Sequence, residues 1–145
     1  MNYLTLIDKA FLLKQTKLFE MLDLDLLLII SDKLGSVEFT AGDVIFANGE
    51  VALRMYFIVK GIVEIKSAEE KILANLHAPD FFGDEDLLSE QMRGYQAVSQ
   101  TDTLLLTLSK TNLLTIISEC PQVAVGLLQA YTSYNIFRPR KEISE

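Results

Sequence analysis

The sequence predicts a mainly β fold, a small roll of the jelly-roll type with helices at both ends. Two observations carry this. The apolar residues keep helical spacing up to Gly35, switch to strand-like runs, and return to helical spacing after Ser109. Between those points short β-rich runs recur, separated by turn signals at Ala41-Gly42-Asp43, Asn48-Gly49, Lys60-Gly61 and Ala68-Glu69-Glu70. The 145 residues are expected to form one domain over 1–145, with helices in 2–34, a roll over 36–108 and C-terminal helices over 110–137.

Each element has a local reason. Leu4, Ile7 and Phe11 share a stripe flanked by Leu6, Ala10 and Leu13, which predicts a first helix within 2–14. Asp23 is placed to cap a second helix running to Leu34, with Leu26, Ile29 and Ile30 on one face and Gly35 as its stop. Val37–Phe39 and Val44–Phe46 read as short strands around the Gly42 turn, and Asn48-Gly49 is a strong turn signal. Arg54–Val59 and Ile62–Lys66 read as strands joined at Lys60-Gly61 in a hairpin. Lys71–Leu76, Ala97–Gln100 and Thr103–Leu108 complete the strands. Ser109 is expected to cap a helix bearing Leu113, Leu114, Ile116 and Ile117. Pro121 suits the first position of a last helix, which carries Val123, Ala124, Leu127, Leu128 and Tyr131 and stops near Pro139.

Charge and composition remove several function classes. A formal charge of −7 argues against nucleic acid and anionic lipid as direct ligands. The lone Cys120 rules out an intrachain disulfide and suits a reducing compartment. Asp8 stands where a signal peptide needs a basic and then apolar lead, and the apolar run Leu22–Ile30 is too short to span a bilayer. The expected location is cytoplasmic. Metal-dependent rolls hold their ion with several histidines and a carboxylate, and this chain has the single His77. Cys120 lies before Pro121 rather than in a glycine-rich elbow, so a Cys–His nucleophile is discounted. The chain is expected not to be an enzyme and to need no metal or cofactor.

The most informative stretch is 81–102. Phe81-Phe82-Gly83-Asp84 is followed by a short apolar turn, and Arg93 comes ten residues after Gly83. Glycine lets backbone approach a ligand closely, a short helix behind it aims N–H groups at an anion, and arginine forks onto phosphate oxygens. A carboxylate accepts from hydroxyls. These residue types at this spacing point to a pocket for a small sugar phosphate.

The stretch resembles the phosphate-binding cassette of cyclic-nucleotide-binding domains, the β-roll of catabolite-activator-type regulators, cyclic-nucleotide-dependent kinases and gated channels. The Gly-to-Arg interval fits the family pattern without a gap. Thr101-Asp102, the run Met55-Tyr56-Phe57-Ile58-Val59-Lys60-Gly61, and the turn glycines Gly42, Gly61 and Gly83 fall at family positions, and the order helix, helix, roll, helix, helix agrees. The resemblance covers nearly the whole chain and implies a double-stranded β-helix of the cyclic-nucleotide-binding type, with cAMP or cGMP as ligand.

Carried over residue by residue, the resemblance implies that Arg93, Gly83 and the backbone of Glu85 and Asp86 meet the phosphate. Asp84 meets the ribose hydroxyl, and Gly94, Tyr95 and Gln96 lie toward the base. Several of these depart from the family. Asp84 replaces glutamate and falls about 1.5 Å short, one C–C bond. Asp86 replaces a small residue; a carboxylate about 5–6 Å from phosphate repels it by roughly 3 kcal/mol at an effective dielectric near 20. That weakens binding about a hundredfold. The repulsion is avoided if Asp86 faces solvent or pairs with Arg93. Met92 replaces the proline before the arginine, and Tyr95 either fills nucleotide space or packs as a strand aromatic.

Two readings are open at this point. In one the chain is a non-enzymatic cyclic-nucleotide sensor that passes occupancy to a partner through its C-terminal helices. In the other it is a degenerate roll that no longer binds nucleotide tightly and serves as a protein-interaction or structural domain. No helix-turn-helix follows the last helix, so output is expected through another protein or sequence outside this chain. Arg138-Pro139-Arg140-Lys141 reads as a solvated helix end. Apolar residues on more than one stripe of the last helix, including Val123, Leu127, Tyr131 and Ile136, predict a symmetric homodimer through it.

Overall fold

The computed structural model describes residues 4–133. Helix α1 (Leu6–Gln15) starts at a capping box, with the Thr5 hydroxyl accepting from the Asp8 N–H and the Asp8 carboxylate accepting from the Thr5 N–H. Helix α2 (Leu24–Asp32) follows Asp23, whose side chain makes no capping bond, contrary to expectation; its carbonyl receives the Leu27 N–H instead. Gly35 was expected to end α2. The helix closes earlier, at Lys33, and Gly35 opens strand β1 (Gly35–Phe39) opposite Thr107. The glycine serves a close approach: a Cβ there would lie 2.8 Å from Thr107 Oγ1.

The remaining elements are β2 (Val44–Phe46), β3 (Arg54–Lys60), β4 (Val63–Lys66), β5 (Ile72–Leu76), β6 (Phe81–Phe82), α3 (Asp84–Ser89), β7 (Gln96–Ser99), β8 (Thr103–Ser109), α4 (Lys110–Glu119) and α5 (Pro121–Ser133). They form two antiparallel four-stranded sheets, β1-β8-β3-β6 and β2-β7-β4-β5. The chain passes repeatedly from one sheet to the other, which makes the predicted roll.

The hairpin expected at Lys60-Gly61 is a sheet-to-sheet corner. β3 belongs to the first sheet and β4 to the second. Gly61 has φ +96, and a Cβ there would stand 2.3 Å from the Asp102 carbonyl oxygen. A hairpin and a corner both call for glycine at positive φ, so the local signal is the same. The true hairpin is β4–β5, pairing Val63 with Leu76 and Ile65 with Ala74. Thr101 and Asp102 staple the corner region: the Thr101 hydroxyl accepts from Ile62 N–H, and Asp102 accepts from Ala41 N–H.

Strand β3 is buried on both faces because side chains alternate along it. Met55 and Phe57 join one core with Phe19, Leu27, Ile30, Leu106 and Ile116, under the helices. Tyr56 and Ile58 join a second core between the sheets, with Phe46, Ile65, Phe82, Tyr95 and Leu105. Helix α5 turns Val123, Leu127 and Ala130 onto the first core and leaves Val125 and Leu128 exposed. Among the described residues no single helix is long and apolar enough to cross a membrane; α4 and α5 reach that length only together, bent by 113°. The stretch 134–137 expected as helix, Tyr134, Ile136, Phe137 and the cluster Arg138–Lys141 lie outside the described residues.

Candidate functional site: the cassette between Gly83 and Arg93

The cassette is β6, α3 and the loop 90–95. Its two ends are joined by one side chain. Arg93 Nη1 donates to the Gly83 carbonyl at 2.6 Å. Gly83 has φ +82 and caps α3, and a Cβ on it would meet Arg93 Nη1 at 3.0 Å. The backbone conformation favours glycine here, and any Cβ would stand in tight contact with the guanidinium. The loop carrying Arg93 is tied to the Asn48-Gly49 turn: Gly49 N–H donates to the Arg93 carbonyl, Arg93 N–H to the Glu50 carbonyl, each at 2.8 Å, and Met92 bridges Val51.

Arg93 is buried, with 3% of its surface exposed. Its Nη2 donates to the Arg54 carbonyl at the start of β3, and its guanidinium carbon lies 4.0 Å from the Phe46 ring centroid. Nε has no hydrogen-bond partner among the described residues.

The acids of the cassette are turned elsewhere. Asp84 is fully buried and accepts from the Tyr131 hydroxyl of α5. Glu85 Oε1 accepts from the Tyr95 hydroxyl at 2.5 Å. Asp86 Oδ2 accepts from the Gly94 N–H at 3.3 Å, closing the cassette loop across eight residues. Asp86 is half-buried, and this bond to an amide of the loop lies at an exposed site.

Of the alternatives raised for Tyr95, the core-packed aromatic describes its ring. Its ring packs in the inner core 5.4 Å from that of Phe46, and its hydroxyl enters the cassette, where it accepts the Gly83 N–H at 2.9 Å. Burial first, and then the Glu85 carboxylate, push its phenol well above the usual value of 10.0. Burial likewise raises the neighbouring Tyr56, against the lowering influence of Arg54 and Arg93. Gly94 is exposed with open space around its Cα, and Gln96 is half-buried in β7 opposite Lys66. The structure thus gathers Gly83, Asp84, Glu85, Asp86, Arg93, Gly94 and Tyr95 around one short helix, with Gln96 leading away along β7.

Sequence reasoning missed three participants. The Arg54 carbonyl is a backbone group 39 residues from Arg93, and nothing in its side chain announces it. Phe46 has the alternating strand signature and no mark of a cation partner. Tyr131 sits on a helical stripe and reads as a core or dimer contact, although its hydroxyl reaches 47 residues back to Asp84.

Comparison with known proteins agrees with this geometry. Residues 36–120 match the family model described as "Cyclic nucleotide-binding domain". The cyclic AMP receptor protein of Thermus thermophilus is 33% identical over 90 residues, 59% of this chain and 42% of that protein. A CRP-like cAMP-activated global transcriptional regulator of Mycobacterium tuberculosis is 24% identical over 122 residues, 81% of this chain and 54% of that protein. The chain therefore spans about half the length of these curated relatives. Among solved structures, the N-terminal domain of a transcriptional regulator from Streptomyces coelicolor superposes with a TM-score of 0.76 at 26% identity, over 83% of this chain and 89% of that one. The matched span includes the roll and the whole cassette, and on that ground the chain belongs to the cyclic nucleotide-binding domain family.

Proposed function

We propose that the chain is a non-enzymatic regulatory module that takes a cyclic nucleotide, cAMP or cGMP, in the cassette and passes occupancy to a partner through its C-terminal helices. One observation carries this reading: the buried Arg93 guanidinium donates to two backbone carbonyls and lies over the Phe46 ring, and its Nε has no hydrogen-bond partner among the described residues. Burying a charge is costly unless an opposite charge or full hydrogen bonding compensates it. A ligand phosphate supplies an anion to this cation, and Nε supplies a further donor. Gly83 and the backbone of Glu85 and Asp86 border the phosphate, Asp84 takes the ribose hydroxyl, and Gly94, Tyr95 and Gln96 lie toward the base.

The bond from Gly83 N–H to Tyr95 favours the second reading, a roll that has lost tight affinity and acts as an interaction domain. The tyrosine already fills space and a donor that a ligand would use. Calorimetric titration of cAMP and cGMP into the wild type and Arg93→Ala separates the two. Binding that Arg93→Ala removes supports the sensor; no heat from either protein at millimolar nucleotide supports the interaction domain. The output partner on either reading is another protein or further sequence, the expected setting is the cytoplasm, and a homodimer through α5 is the proposed assembly.

A further inference from the structure

We propose that Asn48 is a site of spontaneous covalent modification, deamidation through a cyclic imide, and that the Arg93 carbonyl restrains it. Asn48 and Gly49 are both exposed. The Asn48 amide makes no hydrogen bond among the described residues. Gly49 has φ +88, and a Cβ there would meet nothing within 4 Å, so that side of its backbone is open. In the reaction the Gly49 backbone nitrogen gives its proton to solvent base and attacks Asn48 Cγ. The new C–N bond closes a succinimide, and the side-chain nitrogen takes up a proton and leaves as ammonia. Water then adds to one ring carbonyl and breaks its bond to the ring nitrogen, which regains a proton. Attack at Cγ leaves aspartate at position 48, and attack at the backbone carbonyl leaves isoaspartate.

The attacking nitrogen is also the one that holds the loop of Arg93. Gly49 N–H donates to the Arg93 carbonyl at 2.8 Å, beside the return bond from Arg93 N–H to the Glu50 carbonyl. A nitrogen that gives up its proton cannot keep donating it, so the reaction starts only where the Gly49–Arg93 bond is open. One net backbone hydrogen bond makes that open state about tenfold rarer. The imide nitrogen carries no hydrogen, so the bond stays broken in the intermediate. Isoaspartate restores the N–H but adds one carbon to the backbone, inside the turn that Glu50 N–H closes on the Ala47 carbonyl at 3.2 Å. Gly49 N–H is then displaced by about one C–C bond, roughly 1.5 Å, out of hydrogen-bond range of Arg93. Modification at position 48 thereby removes one of the two backbone bonds that join this turn to Arg93, and adds a carboxylate two residues from Glu50.

The test follows the whole protein at mildly alkaline pH by peptide mapping for aspartate and isoaspartate, folded and in guanidinium chloride. Asn48→Gln, whose imide would need a larger and slower-forming ring, is the chemical control. Amide hydrogen exchange of Gly49 and Arg93 is measured in the same buffer. Position 48 should be modified in both states, at least about tenfold more slowly in the folded protein. That slowing should match the exchange protection of Gly49 N–H, because both need the same opening. The isoaspartyl protein, separated by anion exchange, should lose protection at Gly49. Equal rates folded and unfolded, no modification of the folded protein, or an unprotected Gly49 N–H beside slow modification would each overturn the restraint by Arg93. An isoaspartyl product that keeps its Gly49 protection, or the same products in Asn48→Gln, would overturn it as well.

Discussion

The Arg93 guanidinium lies 4.0 Å over the Phe46 ring while donating to the carbonyls of Gly83 and Arg54. One side chain therefore links the cassette, the inner core and strand β3, so its loss is felt beyond ligand binding. Arg93→Ala should abolish any nucleotide-induced rise in Tm and also lower the stability of the free protein by about 1–3 kcal/mol, because two carbonyls lose a charged donor. Arg93→Lys should restore only part of the ligand shift, since an ammonium cannot reproduce the fork. A free-protein melt unchanged in Arg93→Ala would show that these contacts contribute nothing.

Nucleotide affinity should be micromolar or weaker, given Asp86 and the hydroxyl of Tyr95 on the Gly83 amide. Tyr95→Ala should tighten cAMP binding about tenfold, the worth of one hydrogen bond of about 1.4 kcal/mol regained by the ligand. The same change should cost about 3–5 kcal/mol of stability, as aromatic truncation in a core does. Titration and urea unfolding of the same protein measure both. Nanomolar affinity in the wild type would refute the argument.

Alkaline pH should destabilise the fold through Tyr95. Its phenol is held well above 10.0 by burial and Glu85, so the folded protein keeps its proton where the unfolded chain loses it. The stabilisation is fully present below pH 10 and disappears as pH rises toward the folded value. Between pH 9 and about 11 the Tm of the wild type should fall more steeply than that of Tyr95→Phe. Parallel curves would show that Tyr95 titrates normally.

Two glycines at similar φ separate strain from crowding. Gly42, at φ +94, has open space where a Cβ would go; Gly61, at φ +96, has the Asp102 carbonyl there. Gly42→Ala should cost about 1–2 kcal/mol, the penalty of left-handed backbone alone. Gly61→Ala should cost at least twice that, because backbone must move. Equal losses in urea unfolding would place the whole effect in the backbone conformation.

Self-association through α5 should depend on Val125 and Leu128, which are exposed, and not on Val123 and Leu127, which face the core. Sedimentation at high concentration should show a dimer that Leu128→Glu dissociates while the monomer remains folded. A wild-type monomer at millimolar concentration would remove the proposal.

Much of this was legible in the chain, because period and turn chemistry are local properties. The change near Gly35 and the return near Ser109 bracket the two sheets correctly, and the Gly83–Arg93 interval locates both ends of the cassette. What sequence could not supply was which distant groups meet. Gly61 signals positive φ but not whether the next strand returns to the same sheet. The three acids at Asp84–Asp86 read as a repulsive cluster because their donors, Tyr131, Tyr95 and Gly94, arrive from other parts of the fold.

Because neighbouring residues of β3 face different cores, a one-residue insertion or deletion there would send Phe57 into the core between the sheets and Tyr56 under the helices. No single repacking absorbs such an exchange, so this strand is a segment of fixed length. The turn at 67–71 carries no such double duty: it joins β4 to β5, its residues Ala68 to Lys71 are half-exposed or exposed, and both flanking strands stay in one sheet. Labels, tags or grafted peptides belong at that turn, where added residues lengthen a loop without changing which side chain enters which core.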